Sequence, residues 1–137
     1  MLALIQEQIN VAKKLQPYAV ISGGLAWHLM SREHKEGYYY DHKDIDVLTK
    51  TGYTVQTLKN IGFVRQRTVH DSERFMRFVK YREGKKITVD LFFEDTEYIT
   101  VEGIRVVRPD VLAGYYRSDR WTRNLEILKE EYLSYLI

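Results

Sequence analysis

The chain contains no cysteine, which excludes disulfides and thiolate metal sites. It has no run approaching the ~20 apolar residues that a membrane span requires. Its start, Met1-Leu2-Ala3-Leu4-Ile5-Gln6-Glu7, lacks the basic and sustained apolar segments of a signal peptide. No membrane association is expected, and a cytoplasmic location is. Net charge is scarce too, at +2 over 137 residues, too little to indicate a nucleic-acid partner by itself. There is no internal repeat, low-complexity tract or linker-like stretch. One domain over 1–137 is therefore expected, and 45% hydrophobic residues suffice for a single core at this length.

What is present is an ordered series of short elements. Leu2, Ile5, Ile9, Ala12 and Leu15 recur at three and four residues, which predicts a helix from Leu2 to Gln16 that Pro17 ends. Tyr18-Ala19-Val20-Ile21-Ser22 reads as a buried strand. Gly23-Gly24 interrupts it, and helical spacing resumes from Leu25 to Arg32. Glu33 to Lys43 reads as a polar, aromatic loop, followed by a strand over Asp44–Thr49 and a short helix over Tyr53–Asn60 that Gly62 terminates. Strands are then expected over Phe63–His70, Arg74–Arg82 and Lys86–Phe93, with turns at Asp71-Ser72-Glu73 and Gly84-Lys85. A hairpin is expected across Glu102-Gly103, between Tyr98–Val101 and Ile104–Val106. Pro109 suits the first position of a helix running to Tyr116, and a last helix is expected from about Arg120, buried through Trp121, Leu125, Leu128, Tyr132 and Leu136.

The chemistry concentrates at three places. In a strand, period two sets Asp44 and Asp46 on the same face, about 6.5–7 Å apart along the backbone. Two carboxylates so placed repel each other unless a cation lies between them, and Mg²⁺ is commonly held by one or two carboxylates together with phosphate oxygens. Gly23-Gly24 supplies the complementary feature: without Cβ atoms it admits a phosphate close to backbone N–H groups, at a helix N-terminus that favours negative charge. Asp90 interrupts the apolar run Ile87-Thr88-Val89-Asp90-Leu91-Phe92-Phe93, where a bare carboxylate is costly unless paired or metal-bound. It is the natural third carboxylate for a two-metal clamp. Read singly, each signal has an ordinary structural alternative: a strand-to-helix turn for the glycines, a solvated strand face for Asp44 and Asp46, an ion pair with Arg77 for Asp90.

In order, Gly23-Gly24-Leu25-Ala26, Asp44-Ile45-Asp46-Val47 and Asp90 resemble the nucleotidyltransferase superfamily, the DNA-polymerase-β-like fold. The pattern is closest to its small bacterial and archaeal members, the minimal nucleotidyltransferases and the relatives of the abortive-infection toxin family. Pro109-Asp110-Val111-Leu112 is similar to a helix that some of those carry after the sheet. The resemblance implies an α+β fold, a mixed sheet flanked by helices, with a core of about 18–107 and C-terminal helices over about 109–137. It implies Mg²⁺, as two ions, on Asp44, Asp46 and Asp90. Ser22, Gly23 and Gly24 would hold the triphosphate of an NTP, with Lys43 and Arg32 adding positive charge. The implied reaction is transfer of a nucleoside monophosphate to a hydroxyl acceptor: a small molecule, a protein or an RNA. The alternative on the same fold is a non-catalytic binding or regulatory module of toxin–antitoxin or nucleic-acid-binding type. A generic α+β interaction domain with coincidental motifs is the third reading.

Further features bear on partners. Arg65 to Lys86 holds eight Lys or Arg against three acids, whereas all five charged residues from Asp90 to Glu102 are acidic. The basic stretch is a candidate for RNA or DNA phosphate contacts or an ordinary solvated strand face. Tyr38-Tyr39-Tyr40 could stack on a base or pack over the sheet. His34 and His42 with a carboxylate offer a Zn²⁺ reading, but their spacing matches no metal motif. With no separate substrate domain, the acceptor would be held by the last helices, the basic hairpin or a second subunit, as in a homodimer.

Overall fold

The computed structural model describes residues 2–34 and 44–118. Among them are α1 (Leu2–Lys14), β1 (Ala19–Ser22), α2 (Gly23–His34), β2 (Asp44–Thr49), α3 (Tyr53–Asn60), β3 (Val64–Gln66), β4 (Phe75–Arg82), β5 (Lys85–Phe93), β6 (Tyr98–Val101), β7 (Ile104–Val107) and α4 (Pro109–Ser118). The seven strands form one mixed sheet in the order β3-β4-β5-β2-β1-β7-β6. β2 runs antiparallel to β1 and parallel to β5. The two flanks, β3-β4-β5 and β6-β7, are antiparallel meanders.

Alternation along the central strands gives the sheet one largely apolar face. Ile21 is in register with Val47 and with Val106. Val47 pairs with Leu91, Ile45 with Val89, and Val89 with Phe78. All of these are fully buried and form one cluster with Ile5, Ile9 and Ala12 of α1, Leu15 just after it, and Leu25, Ala26, Leu29 and Met30 of α2. The three- and four-residue spacing of the helices and the two-residue spacing of the strands thus meet in a single core. Gln16 ties the end of α1 into it: its Nε2 donates to the carbonyls of Ala12 and Ala19, each at 3.2 Å, and its Oε1 accepts from the Arg105 backbone N–H at 3.1 Å.

At the other end of β2, Thr49 Oγ1 donates to the Tyr18 carbonyl at 2.9 Å and lies 2.8 Å from Thr54 Oγ1. These contacts fasten the start of α3, which buries Thr54 and Leu58. The helix stops where Gly62 takes a φ of +99°, a conformation that favours glycine.

Three boundaries differ from the expected ones. β3 is confined to Val64–Gln66 instead of Phe63–His70, since only those three residues pair with β4. Beyond them Asp71 gathers the chain into a turn: Thr68 Oγ1 donates to it at 3.0 Å, and Arg65 and Arg67 lie 3.6 and 3.8 Å away. α2 begins at Gly23 itself and extends to His34, into the stretch expected to be loop. The turn between β4 and β5 is Glu83-Gly84, both at positive φ, so β5 starts at Lys85. The hairpin across Glu102-Gly103 and the helix opened by Pro109 are as expected. Lys43, His42, Tyr38-Tyr39-Tyr40 and the helix expected from about Arg120 lie outside the described residues. No helix among the described residues is long and apolar enough to cross a membrane.

Candidate active site

The second face of the central strands is polar at one level. β2 and β5 are parallel neighbours with Asp46 opposite Asp90 and Asp44 opposite Thr88. Adjacent strands lie about 4.8 Å apart, so the carboxylate that interrupts β5 stands directly beside the second carboxylate of β2. Ser22, at the end of β1, is opposite Asp46 on its other side.

Gly23 follows at once with a φ of +63°. A Cβ placed there would stand 2.2 Å from Asp46 Oδ2. The glycine is therefore required twice: for its backbone conformation, and because the Asp46 carboxylate leans against its Cα. The glycine turn, Asp44, Asp46 and Asp90 are one constellation, brought together by β1-β2 and β2-β5 pairing.

Its electrostatics are those of crowded carboxylates. Burial pushes Asp46 up from the usual carboxylate range to about 7, and the charges of Asp90 and Asp44 push the same way. Asp44 is raised by burial first, then by the charge of Asp90 and by a hydrogen bond to Asp90 that favours its protonated form. Arg77 and Lys86 partly offset this.

The main counter-charge is Arg77 on β4, opposite Asp90 in register. Its Nε donates to Asp90 Oδ1 at 2.7 Å and its Nη2 to Oδ2 at 3.1 Å. The same Nη2 lies 3.9 Å from Asp44 Oδ2. Hydrogen bonding to Asp90 raises the Arg77 pKa further. One guanidinium against three carboxylates leaves an excess of negative charge.

The donor set fits a hard divalent cation: three carboxylates from two adjacent strands, beside a glycine cradle that a Cβ would fill. The side chains as they stand are not a finished cage. Among the described residues no group of three or more His, Cys, Asp or Glu side chains is disposed to hold a metal ion, and both oxygens of Asp90 are taken by Arg77.

Of the residues expected from the sequence, Ser22, Asp46 and Asp90 share one register level with Gly23 against Asp46, Asp44 lies two residues along β2, and Gly24 is in the first turn of α2. Lys43 lies outside the described residues. From the sequence alone Arg77 stands as the structural alternative for Asp90 and Lys86 as one charge of the basic stretch, although Lys86 shares the strand face of Thr88 and Asp90. Period two along β5 was the signal available for Lys86.

The basic stretch from Arg65 to Lys86 is largely engaged within the protein. Arg65 and Arg67 lie against Asp71, Arg77 pairs with Asp90, and Arg82 pairs with Glu7. Lys80 donates to the Ile61 carbonyl at 2.6 Å. Of the eight basic residues, Arg74, Lys85 and Lys86 remain as exposed side chains outside these pairings.

No family model matches the sequence, and no curated protein matches it. Two solved structures share its fold. One is a proposed nucleotidyltransferase from Thermotoga maritima, with a TM-score of 0.54 at 13% identity, covering 91% of this chain and 89% of that one. The other is ANT(2″)-Ia in complex with adenylyl-2″-tobramycin, with a TM-score of 0.50 at 12% identity, covering 98% of each chain. The chain has a nucleotidyltransferase fold.

Proposed function

We propose that this protein is a Mg²⁺-dependent nucleotidyltransferase that moves a nucleoside monophosphate from an NTP to a hydroxyl acceptor. The observation that carries the reading is the register of Asp46 with Asp90 on one side and Ser22-Gly23 on the other. A strand carboxylate pair, a third carboxylate beside it and a glycine-opened helix are what transfer at an α-phosphate needs within one small volume. ANT(2″)-Ia, which shares the fold, is seen with an adenylylated aminoglycoside. That supports a hydroxyl-bearing acceptor here without naming one.

Each group has a role. Asp44, Asp46 and Asp90 would hold two Mg²⁺ ions, which when bound supply charge neutralisation at the phosphates. Ser22, Gly23 and Gly24 would take the triphosphate, since the N-terminus of α2 presents N–H groups without side chains in the way. Lys43 and Lys86 would add positive charge near the phosphates. The acceptor hydroxyl gives up its proton to solvent, its oxygen forms a new bond to the α-phosphorus, the bond from that phosphorus to the α–β bridging oxygen breaks, and pyrophosphate leaves. The protein's contribution is position and electrostatics.

The test is incubation of labelled NTPs with Mg²⁺ and candidate acceptors. Transfer by the wild type that disappears in Asp44→Ala with Asp46→Ala supports the reading; transfer that survives the double substitution sinks the site.

A second reading, a non-catalytic module on the same fold, is favoured by one observation: Arg77 already occupies both oxygens of Asp90. Calorimetry with each NTP and Mg²⁺ separates the two. Carboxylate-dependent NTP binding favours the enzyme. Salt-sensitive RNA or DNA binding without NTP affinity favours the module.

A further inference from the structure

Five polar residues lie in register across five strands: Gln66 on β3, Arg77 on β4, Asp90 on β5, Asp46 on β2 and Ser22 on β1. Arg77 is second in this row and has unequal neighbours. Toward β5 it makes a two-toothed pair with Asp90, whose side chain is only 11% exposed. Toward β3 its register partner is Gln66, whose Oε1 is buried and has no hydrogen-bond partner. A buried carbonyl oxygen without a donor is costly, and such groups are rare in folded proteins. Here the unsatisfied acceptor belongs to the register neighbour of the site's arginine, on the same face of the sheet.

We propose that Arg77 is a two-position counter-ion. It holds Asp90 while the carboxylate centre is free of metal, and it yields Asp90 to an arriving divalent ion by turning its guanidinium toward Gln66 Oε1. This rests on the nucleotidyltransferase reading and deepens it by naming what controls metal loading.

A fork that binds both oxygens of a carboxylate leaves none for a metal. A divalent ion therefore recruits Asp90 only by displacing Arg77, and its affinity is lowered by the strength of that pair. The vacated guanidinium, on a side chain that is 31% exposed, can turn partly to water, and a protein acceptor beside it makes the exchange easier. Gln66 supplies that acceptor, and the exchange also satisfies the oxygen now left without a donor. Arg77 is thus a positioning residue that acts on the centre through Asp90.

The experiment is titration calorimetry of the full chain with Mn²⁺ alone, with thermal unfolding in parallel. The variants are Arg77→Met, Arg77→Lys, Gln66→Leu and Asp44→Ala. Arg77→Met removes the competitor and is expected to bind Mn²⁺ about tenfold more tightly than the wild type, in the range by which groups around a metal site tune affinity. Without metal its unfolding temperature falls, and Mn²⁺ restores more of it than in the wild type. Arg77→Lys, which replaces the fork with a point charge, is expected to fall between the two and decides the matter should the Met variant fail to fold. Gln66→Leu is expected to bind Mn²⁺ more weakly than the wild type.

Wild-type binding that Asp44→Ala removes, but that the Arg77 variants leave unchanged or weaken, overturns the exchange and leaves the metal site standing. Absence of Mn²⁺ binding in every variant, or binding indifferent to Asp44→Ala, overturns the metal-site reading and the exchange with it.

Discussion

The two faces of β2 and β5 are built on opposite terms. One face presents Ile45, Val47, Val89 and Leu91, all fully buried against the helices. The other presents Asp44 and Asp46 beside Asp90, with pKa values of the first two displaced upward by burial and then by the charge of Asp90. The same four to six residues of each strand therefore hold the molecule together on one side and work against it on the other. Crowded like charges are kept only where something else offsets them. Here that is Arg77, and by the proposed function a divalent ion. Stability and chemistry are separated by one residue of register, so substitutions on adjacent positions are expected to act in opposite senses.

The largest effect is expected on the acidic face. Asp46→Asn should lower nucleotide transfer by about 10³-fold or more, since it removes a charge that positions the metal ions. Its thermal stability above pH 7 should be unchanged or raised, because a buried like charge is gone. Next is Leu91→Ala on the apolar face, expected to lower stability by about 2–5 kcal/mol through the cavity it leaves. Activity per folded molecule should be retained. Chemical denaturation and initial rates on the two variants check both, and a Leu91→Ala protein with lost activity at full stability would break the comparison.

Gly23→Ala crosses the divide. Its Cβ would press on Asp46 Oδ2 in a left-handed backbone conformation, so about 1–3 kcal/mol of stability is expected to go together with NTP binding. The pH dependence sharpens the picture further. The folded-state pKa of Asp46 is about 7, above its ordinary value of 3.8. The folded protein therefore keeps a proton that the unfolded chain releases, and stability falls as pH rises from about 4 to about 7. The slope contributed by this one group is at most about 1.4 kcal/mol per pH unit. It should vanish in Asp46→Asn, as measured by urea unfolding across that range. The smallest effect is expected at the Arg82–Glu7 pair, away from the site. Arg82→Ala should cost about 0–1 kcal/mol and leave transfer untouched.

Much of the candidate site was legible because its signals are local. Period two placed Asp44 and Asp46 together, the glycine pair marked the strand-to-helix turn, and an acid within an apolar run marked Asp90. The element boundaries near these residues held within one or two positions. What was not legible depends on pairing between distant segments. Nothing local states that β5 lies beside β2, that Asp46 stands opposite Asp90, or that Gly23 backs onto the Asp46 carboxylate. Arg77 was visible only as a neighbour on an adjoining strand; its double hold on Asp90 and its approach to Asp44 come from sheet order. The expected strand from Phe63 to His70 failed for a related reason. Asp71 draws Arg65, Arg67 and Thr68 into a turn that competes with pairing beyond Gln66.

The most direct test of the central claim is a crystal structure of the protein grown with a non-hydrolysable NTP and Mg²⁺. The account predicts metal density on Asp44 and Asp46 and the triphosphate against Ser22, Gly23 and Gly24. A nucleotide bound elsewhere, or density absent at saturating nucleotide with the Arg77–Asp90 pair intact, would contradict it.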